Sequence, residues 1–307
     1  NATITAPTNP IQNILVLGLG GSGMGADVVI DLLGDALSVP MNVVKSYHIP
    51  AYVSKNTLVI VSSYSGNTEE TLSMLTGALA KGAKIVGITS GGKIADLAIE
   101  HGFDVVKVPG GNPPRACLGY SFVQQLYILA KLNLISDSFV ADLLTGIALL
   151  EERQSAIKAL AQEIAVKGFD KIPIIYAPDG YASAALRWRQ QINENSKMLC
   201  WHHVLPEMNH NELVGWRTKS EQWMPIFLDA ADVYIRTKYR IEINKKIVGN
   251  YTSSCYHIVA EGNNHLERIL YLISLGDWVS WYMAQHRAMD AVEVNIIDYL
   301  KGELAKV

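Results

Sequence analysis

The stretch Asn13-Ile14-Leu15-Val16-Leu17-Gly18-Leu19-Gly20-Gly21-Ser22-Gly23-Met24-Gly25 decides the fold class. A short apolar run enters a glycine-rich turn, and a helix-length segment, Met24 to Leu33, follows. A continuous apolar strand, unlike an alternating one, suits a position buried on both faces, which is the setting of a parallel sheet covered by helices. The same alternation recurs downstream: Thr57 to Ser62 then Glu69 to Lys81, Lys84 to Thr89 then Ile94 to His101, and Val105 to Val108 then Cys117 to Leu132. Strands and helices taking turns in this way predict an α/β fold with parallel sheets flanked by helices.

Beyond Asn133 the pattern breaks into an amphipathic stretch, Phe139 to Val166, which carries Glu151, Glu152, Arg153 and Lys158. A strand resumes at Ile172 to Ala177, Gly180 closes a turn, Tyr181 to Glu194 reads as a helix, and Pro225 to Asp229 as another strand. This is a faint second copy of the first pattern. It predicts two subdomains, residues 1–150 with the phosphate-type loops and residues 151–307. Where the first copy has Gly20-Gly21-Ser22-Gly23, the second has Pro178-Asp179-Gly180, so only the first keeps a turn suited to phosphate. The tail predicts helices over His265 to Ala288 and Val292 to Ala305. Trp278, Trp281 and Tyr282 on the first of these are expected in the core or at a subunit contact.

Among 307 residues, 49% are hydrophobic and 18% charged, which excludes a disordered chain. Lys+Arg 26 against Asp+Glu 29 gives a net charge of -3 with no block of like charge, which argues against a nucleic-acid partner. The apolar runs are strand-length, far short of the ~20 residues that span a bilayer. Cys117, Cys200 and Cys255 are scattered without metal-ligand spacing, which fits a reducing, cytoplasmic compartment. Nothing near the amino end resembles a signal peptide, and the chain begins at Asn1 rather than Met, which leaves room for a preceding piece.

Gly18, Gly20 and Gly23 formally satisfy the Gly-x-Gly-x-x-Gly dinucleotide fingerprint. That reading also needs a carboxylate at the end of the second strand, and Asn42 to His48 has none. The alternative is a single phosphate held by glycine amides and the Ser22 hydroxyl at a helix amino terminus. A second loop, Ser62-Ser63-Tyr64-Ser65-Gly66-Asn67-Thr68, offers the same chemistry at another strand-to-helix turn. Its bland reading is a capping box, Asn67-x-x-Glu70. A turn this rich in polar residues exceeds what a cap needs, so phosphate binding is favoured. No Gly-x-x-x-x-Gly-Lys-Ser/Thr run is present, which removes a P-loop nucleotide site.

Gly20-Gly21-Ser22 followed by Ser63-Tyr64-Ser65-Gly66-Asn67-Thr68 resembles the sugar isomerase (SIS) domain, a flavodoxin-like parallel sheet that binds phosphosugars. Within that superfamily, Pro114-Arg115-Ala116, Asn193-Glu194-Asn195-Ser196-Lys197 and Pro206-Glu207-Met208-Asn209-His210-Asn211-Glu212 resemble the bifunctional phosphoglucose/phosphomannose isomerase family. The resemblance runs in order along nearly the whole chain. It implies interconversion of glucose 6-phosphate, and of mannose 6-phosphate, with fructose 6-phosphate, without cofactor or metal.

That chemistry needs a carboxylate to move a proton between carbons 1 and 2, a group to stabilise the enediolate, and an acid/base to open the ring. By the resemblance, Glu194 is the base, Arg115 stabilises the enediolate and His210 opens the ring. The histidine comes from the neighbouring subunit in this family, which implies a homodimer. The phosphate sits on Gly20, Gly21, Ser22, Ser63, Ser65 and Thr68. At the tail the family carries a proline-containing segment before Leu-Lys; here Asp290 to Asn295 precedes Leu300-Lys301, and Lys301 is placed at the ring oxygen.

Each of these residues also has a bland setting. Glu194 lies near the carboxyl end of its helix, where the macrodipole disfavours negative charge, an odd place for a purely structural glutamate; its bland reading is a solvated surface glutamate or one paired with Arg189 or Lys197. Arg115 sits at the start of a helix behind a rigid Pro113-Pro114 turn that can present it to an anion, or it is a surface arginine. His210 follows Asn209 as a helix cap with Glu212 at the third helical position. His202, His203, Glu207 and His210 could form a metal site, but neighbouring strand residues point to opposite faces. Two other classes compete: an SIS enzyme for another or amino-sugar phosphate, and a non-catalytic phosphosugar-binding module.

Overall fold

The computed structural model describes residues 3–306. They fall into two compact units, residues 1–141 and 142–307.

In the first unit, β1 (Asn13–Leu17) enters α1 (Gly20–Leu33), followed by β2 (Met41–Val44), β3 (Thr57–Ser62), α2 (Glu69–Ala80), β4 (Lys84–Thr89), α3 (Gly92–His101), β5 (Asp104–Lys107) and α4 (Leu118–Lys131). The strands form one parallel sheet in the order β2-β1-β3-β4-β5. Ile14 to Leu17 and Leu58 to Val61 are fully buried, which is why both runs read as unbroken apolar sequence. Leu15, Leu17, Val59, Val61 and Ile85 pack on Met74 and Leu75 of α2 and Ile94 of α3. Their alternating neighbours Ile14, Val16, Leu58 and Ile60 face the other side of the sheet. α1 begins at Gly20 rather than at Met24, so the glycine turn is itself the first turn of the helix.

This order reverses direction between β1 and β3, and ligands of open parallel sheets lie at such a switch point, beyond the carboxyl ends of the strands. Leu17 is in register with Val61, so the turns after β1 and β3 leave the sheet level and side by side.

The second unit contains most of α5 (Phe139–Gly168), then β6 (Ile172–Pro178), α6 (Ala182–Ser196), β7 (Trp201–Leu205), β8 (Trp223–Asp229), α7 (Ile235–Val248), β9 (Tyr256–Val259), α8 (His265–His286) and α9 (Asn295–Leu304). Its parallel sheet runs β7-β6-β8-β9, the order of the first four strands of the other sheet. Ile174, Tyr176 and Phe227 form its core with Leu205, Met208, Trp216 and Ile241. α6 lies on α8 where Gly276 leaves space for the Trp188 ring, whose Nε1 donates to the Leu272 carbonyl at 2.7 Å.

Trp278, Trp281 and Tyr282 are not core residues. Their rings cluster with centroids 5.0–6.0 Å apart, Lys158 Nζ stands 4.3 Å over Trp278, and Trp281 is 40% exposed. α9 buries none of its residues. Among the described residues, no helix is long and apolar enough to cross a membrane.

Candidate active site

At the switch point of the first unit lie the two turns that the sequence marks as a candidate anion cradle. Neither α1 nor α2 has its amino terminus capped by a side chain, and α1 has no acid in its first turn. The positive end of the α1 dipole is therefore unanswered by a side chain, whereas α2 opens with Glu69 and Glu70 in its first turn. Asn67 does not cap α2; its Oδ1 accepts from the Lys93 amide at 3.0 Å and so serves the start of α3. The capping-box reading of Asn67 and Glu70 fails for that reason, and the hydroxyls of the loop are left with other roles.

Ser22 Oγ accepts from the Tyr64 amide at 3.0 Å, and Ser62 Oγ donates to the Ser22 carbonyl at 2.9 Å. These two bonds tie the turn after β1 to the turn after β3. Ser63 Oγ and Thr68 Oγ1 lie 2.9 Å apart, while Ser65 Oγ accepts from the Asn67 amide at 3.2 Å. Gly20 has φ +51°, and Gly66 has φ +70° with the Gly91 carbonyl where a Cβ would stand. Only glycine fits there without displacing backbone. The structure thus brings together Gly20, Gly21, Ser22, Ser63, Ser65 and Thr68.

Arg115 belongs to the same unit. It lies on a separate 3-10 turn, Pro114–Ala116, ahead of α4 rather than within its first turn, and it is 8% exposed. A Cβ at Gly21 would meet the Pro114 carbonyl oxygen at 2.9 Å and the Arg115 nitrogen at 3.1 Å. Glycine at 21 is what lets the Arg115 turn press against the cradle. The acid that a dinucleotide site needs at the end of β2 is replaced by Lys45, whose Nζ lies 2.6 Å from Asp27.

Glu194, His210 and Lys301 all lie in the second unit. Glu194 occupies the last turn of α6, which α8 holds rigidly. Arg187 makes two hydrogen bonds to Asp277 at 2.9 and 2.7 Å, Asn195 donates to Ser280 Oγ at 2.9 Å, and Ser196 Oγ donates to the Ser280 carbonyl at 2.7 Å. Lys197, with φ +56°, ends the helix and donates to the Glu194 carbonyl at 2.6 Å, not to its carboxylate, and to the Glu293 carbonyl at 2.9 Å. Glu194 lines a cavity of about 350 Å³ with Asn193, Met198, Leu199, Val294 and Ile297 among its walls.

His210 is exposed at the end of a 3-10 turn, Glu207–His210, whose other residues are fastened down. Met208 is buried, Asn209 accepts from Arg240 at 3.2 Å, and Asn211 donates to Glu207 at 2.7 Å. The cap here is Asn211, which accepts from the Glu212 amide at 2.6 Å, rather than Asn209. Glu212 is anchored instead by Tyr176, whose hydroxyl donates to it at 2.6 Å, and by Trp201 at 3.2 Å. Lys301 is exposed on α9. Among the described residues no three His, Cys, Asp or Glu side chains converge to hold a metal ion.

Two groups escaped the sequence reading. One is the Tyr64 side chain, whose hydroxyl accepts from the Asn112 amide at 3.2 Å. The other is a network at the carboxyl end of the second sheet. Tyr181 donates to Asp232 at 2.6 Å, His265 Nδ1 lies 3.0 Å from Asp232, and Arg268 Nη1 lies 3.0 Å from it. Burial pulls the Asp232 carboxyl up, but the hydrogen bonds from Tyr181 and His265 and the Arg268 charge outweigh it and hold it below the ordinary value. Burial and the Asp232 hydrogen bond raise the Tyr181 phenol. Only the serial order of the strands could have marked this place in advance.

Comparison with known proteins fits this division. Residues 10–125 match the SIS domain, and residues 153–304 match the bacterial phospho-glucose isomerase C-terminal SIS domain. The chain is 39% identical to a bifunctional phosphoglucose/phosphomannose isomerase of Caldicellulosiruptor bescii, over 100% of this chain and 94% of that one. It is 34% identical to a D-glucosamine-6-phosphate 4-epimerase of Sulfolobus acidocaldarius, over 71% of this chain and 68% of that one. A hypothetical protein of Thermus thermophilus shares the fold at TM-score 0.78 with 14% identity, covering 96% of this chain and 83% of that one.

Proposed function

The chain belongs to the bifunctional phosphoglucose/phosphomannose isomerase family, and from that membership we infer that it interconverts glucose 6-phosphate and mannose 6-phosphate with fructose 6-phosphate. The observation that carries this reading is the 39% identity across the full chain. The cradle of the first unit supports the phosphate end of it. Helix-start amides and hydroxyls bind a dianion without a metal.

In the proposed mechanism, His210 assists opening of the sugar ring, with Lys301 at the ring oxygen. Glu194 takes the proton from carbon 1 of the open ketose as a double bond forms between carbons 1 and 2. Negative charge gathers on the oxygen of carbon 2, where Arg115 stabilises it. The proton of the carbon 1 hydroxyl passes to the oxygen of carbon 2, and the carbonyl forms at carbon 1. Return of a proton to one face of carbon 2 gives the glucose epimer, and to the other the mannose epimer. A cis-enediol(ate) is the shared intermediate. The base is held on a helix end locked to α8, and such rigidity keeps a proton-transfer distance short.

The active species is a homodimer in which His210 is supplied to the neighbouring subunit; its exposure on a fastened turn supports that role. The three cysteines are unbridged, which supports a cytoplasmic setting. The test is turnover of fructose 6-phosphate, with glucose 6-phosphate and mannose 6-phosphate assayed separately and glucosamine 6-phosphate offered in parallel. Both hexose products are expected. Exclusive action on glucosamine 6-phosphate would instead favour chemistry of the kind named for the Sulfolobus relative.

A further inference from the structure

Tyr64 joins three separate loops of the first unit. Its amide donates to Ser22 Oγ at 3.0 Å, and its carbonyl accepts from the Ser90 amide at 3.0 Å and from Ser90 Oγ at 2.7 Å. These backbone bonds fix where the ring starts. Its hydroxyl accepts from the Asn112 amide at 3.2 Å, and Tyr64, Pro114 and Cys117 line one small cavity. Asn112 and Cys117 stand immediately on either side of the Pro113-Pro114-Arg115-Ala116 turn. That turn closes on itself through Ala116 N to Pro113 O at 2.9 Å and Cys117 N to Pro114 O at 3.0 Å. It therefore moves as one piece, and the phenol oxygen holds it at its Asn112 foot.

We infer that Tyr64 is a positioning residue: its hydroxyl clamps the Asn112 foot of the turn that carries Arg115 and so fixes the guanidinium relative to the anion cradle. Phosphate binding does not need the hydroxyl, because the contacts of Tyr64 with Ser22 and Ser90 are made by its backbone. Tyr64→Phe keeps the ring and those backbone bonds and deletes the clamp alone. The inference rests on the isomerase reading for its kinetic consequence, and on the geometry alone for its effect on the loop.

The experiment compares wild type, Tyr64→Phe, Arg115→Ala and the double variant. It reads fructose 6-phosphate kinetics, inorganic phosphate affinity and backbone hydrogen exchange. Misplacing a catalytic group by about an ångström costs up to roughly 100-fold in rate. Tyr64→Phe is accordingly expected to lower kcat by about 10- to 100-fold, with KM and phosphate affinity within about twofold. In the Arg115→Ala background it should lower kcat no further, because groups acting through one another are not additive. Amide exchange over residues 110–117 should quicken in Tyr64→Phe, while exchange in α1 stays as in wild type. Unchanged exchange at 110–117 overturns the clamp whether or not the protein is an isomerase. An unchanged kcat, a KM effect alone, or fully additive losses overturn the positioning role. If wild type fails to turn over fructose 6-phosphate but exchange quickens as expected, the clamp stands and the isomerase reading falls.

Discussion

At the carboxyl ends of β1 and β3 the chain places glycines, hydroxyls and helix starts that no side chain caps; at the ends of β6 and β8 it places Tyr181 and Asp232, tied to His265 and Arg268. The strand order around both places is the same. In the first, the proposed phosphate meets helix starts that no side chain caps. In the second, a carboxylate of the protein already stands against the cation and the imidazole. The helix that follows β9 is also closed by its own residues: Asn264 accepts from the Glu267 amide at 2.9 Å, and Glu267 Oε2 accepts from the Asn263 amide at 2.6 Å. A shared topology therefore does not supply a shared site. What supplies it is the residue type at each strand end, and a built-in carboxylate is the simplest way to refuse a phosphate.

In the proposed mechanism the units divide the work, binding in the first and proton movement in the second, and substitutions test the division. Glu194→Gln should reduce turnover by about 10²- to 10⁴-fold while fructose 6-phosphate still binds, as measured by steady-state kinetics and calorimetry. A comparable loss of binding would break the division. Gly21→Ala drives a Cβ into the backbone of Pro114 and Arg115, so kcat should fall and KM rise together. Ser22→Ala and Ser63→Ala each remove a hydroxyl from the cradle. A hydrogen bond to a charged group contributes about 1.5–3 kcal/mol, so KM should rise roughly 10- to 100-fold with kcat nearly intact.

Asp232→Asn should leave KM for fructose 6-phosphate unchanged and lower the melting temperature by a few degrees, on the order of 1–3 kcal/mol for a partner removed from a half-buried network. The pH dependence follows from the depressed Asp232 value. A carboxyl held below its unfolded value of 3.8 adds stability that is complete above that value and is lost as the pH falls through the folded one. The stability gap between wild type and Asp232→Asn, followed by thermal melting, should therefore shrink on acidification below 3.8. A gap that widens there would place the network's contribution elsewhere.

Much of the first unit was legible because strands buried on both faces must be apolar throughout, and Ile14 to Leu17 and Leu58 to Val61 obey that rule. The polar loops were legible because a helix start after a strand is a local feature. The role of Asn67 was not legible, because Asn-x-x-Glu looks the same whether or not a cap forms, and its partner, Lys93, lies 26 residues away. The Tyr64 contact with Asn112 spans 48 residues, and the Tyr181 contact with Asp232 spans 51. No local pattern encodes such meetings; the sheet order creates them. Glu194, Arg115 and His210 stood out by family likeness, since a glutamate near a helix end and an arginine after two prolines are unremarkable on their own.

The measurement that tests the central claim most directly is magnetic resonance of fructose 6-phosphate incubated with the protein in deuterated water. The proposed proton transfer through Glu194 predicts both glucose 6-phosphate and mannose 6-phosphate, carrying deuterium at carbon 2, and neither product with Glu194→Gln. Bound fructose 6-phosphate that stays unconverted with the wild-type protein, or product formation undiminished in Glu194→Gln, would contradict it.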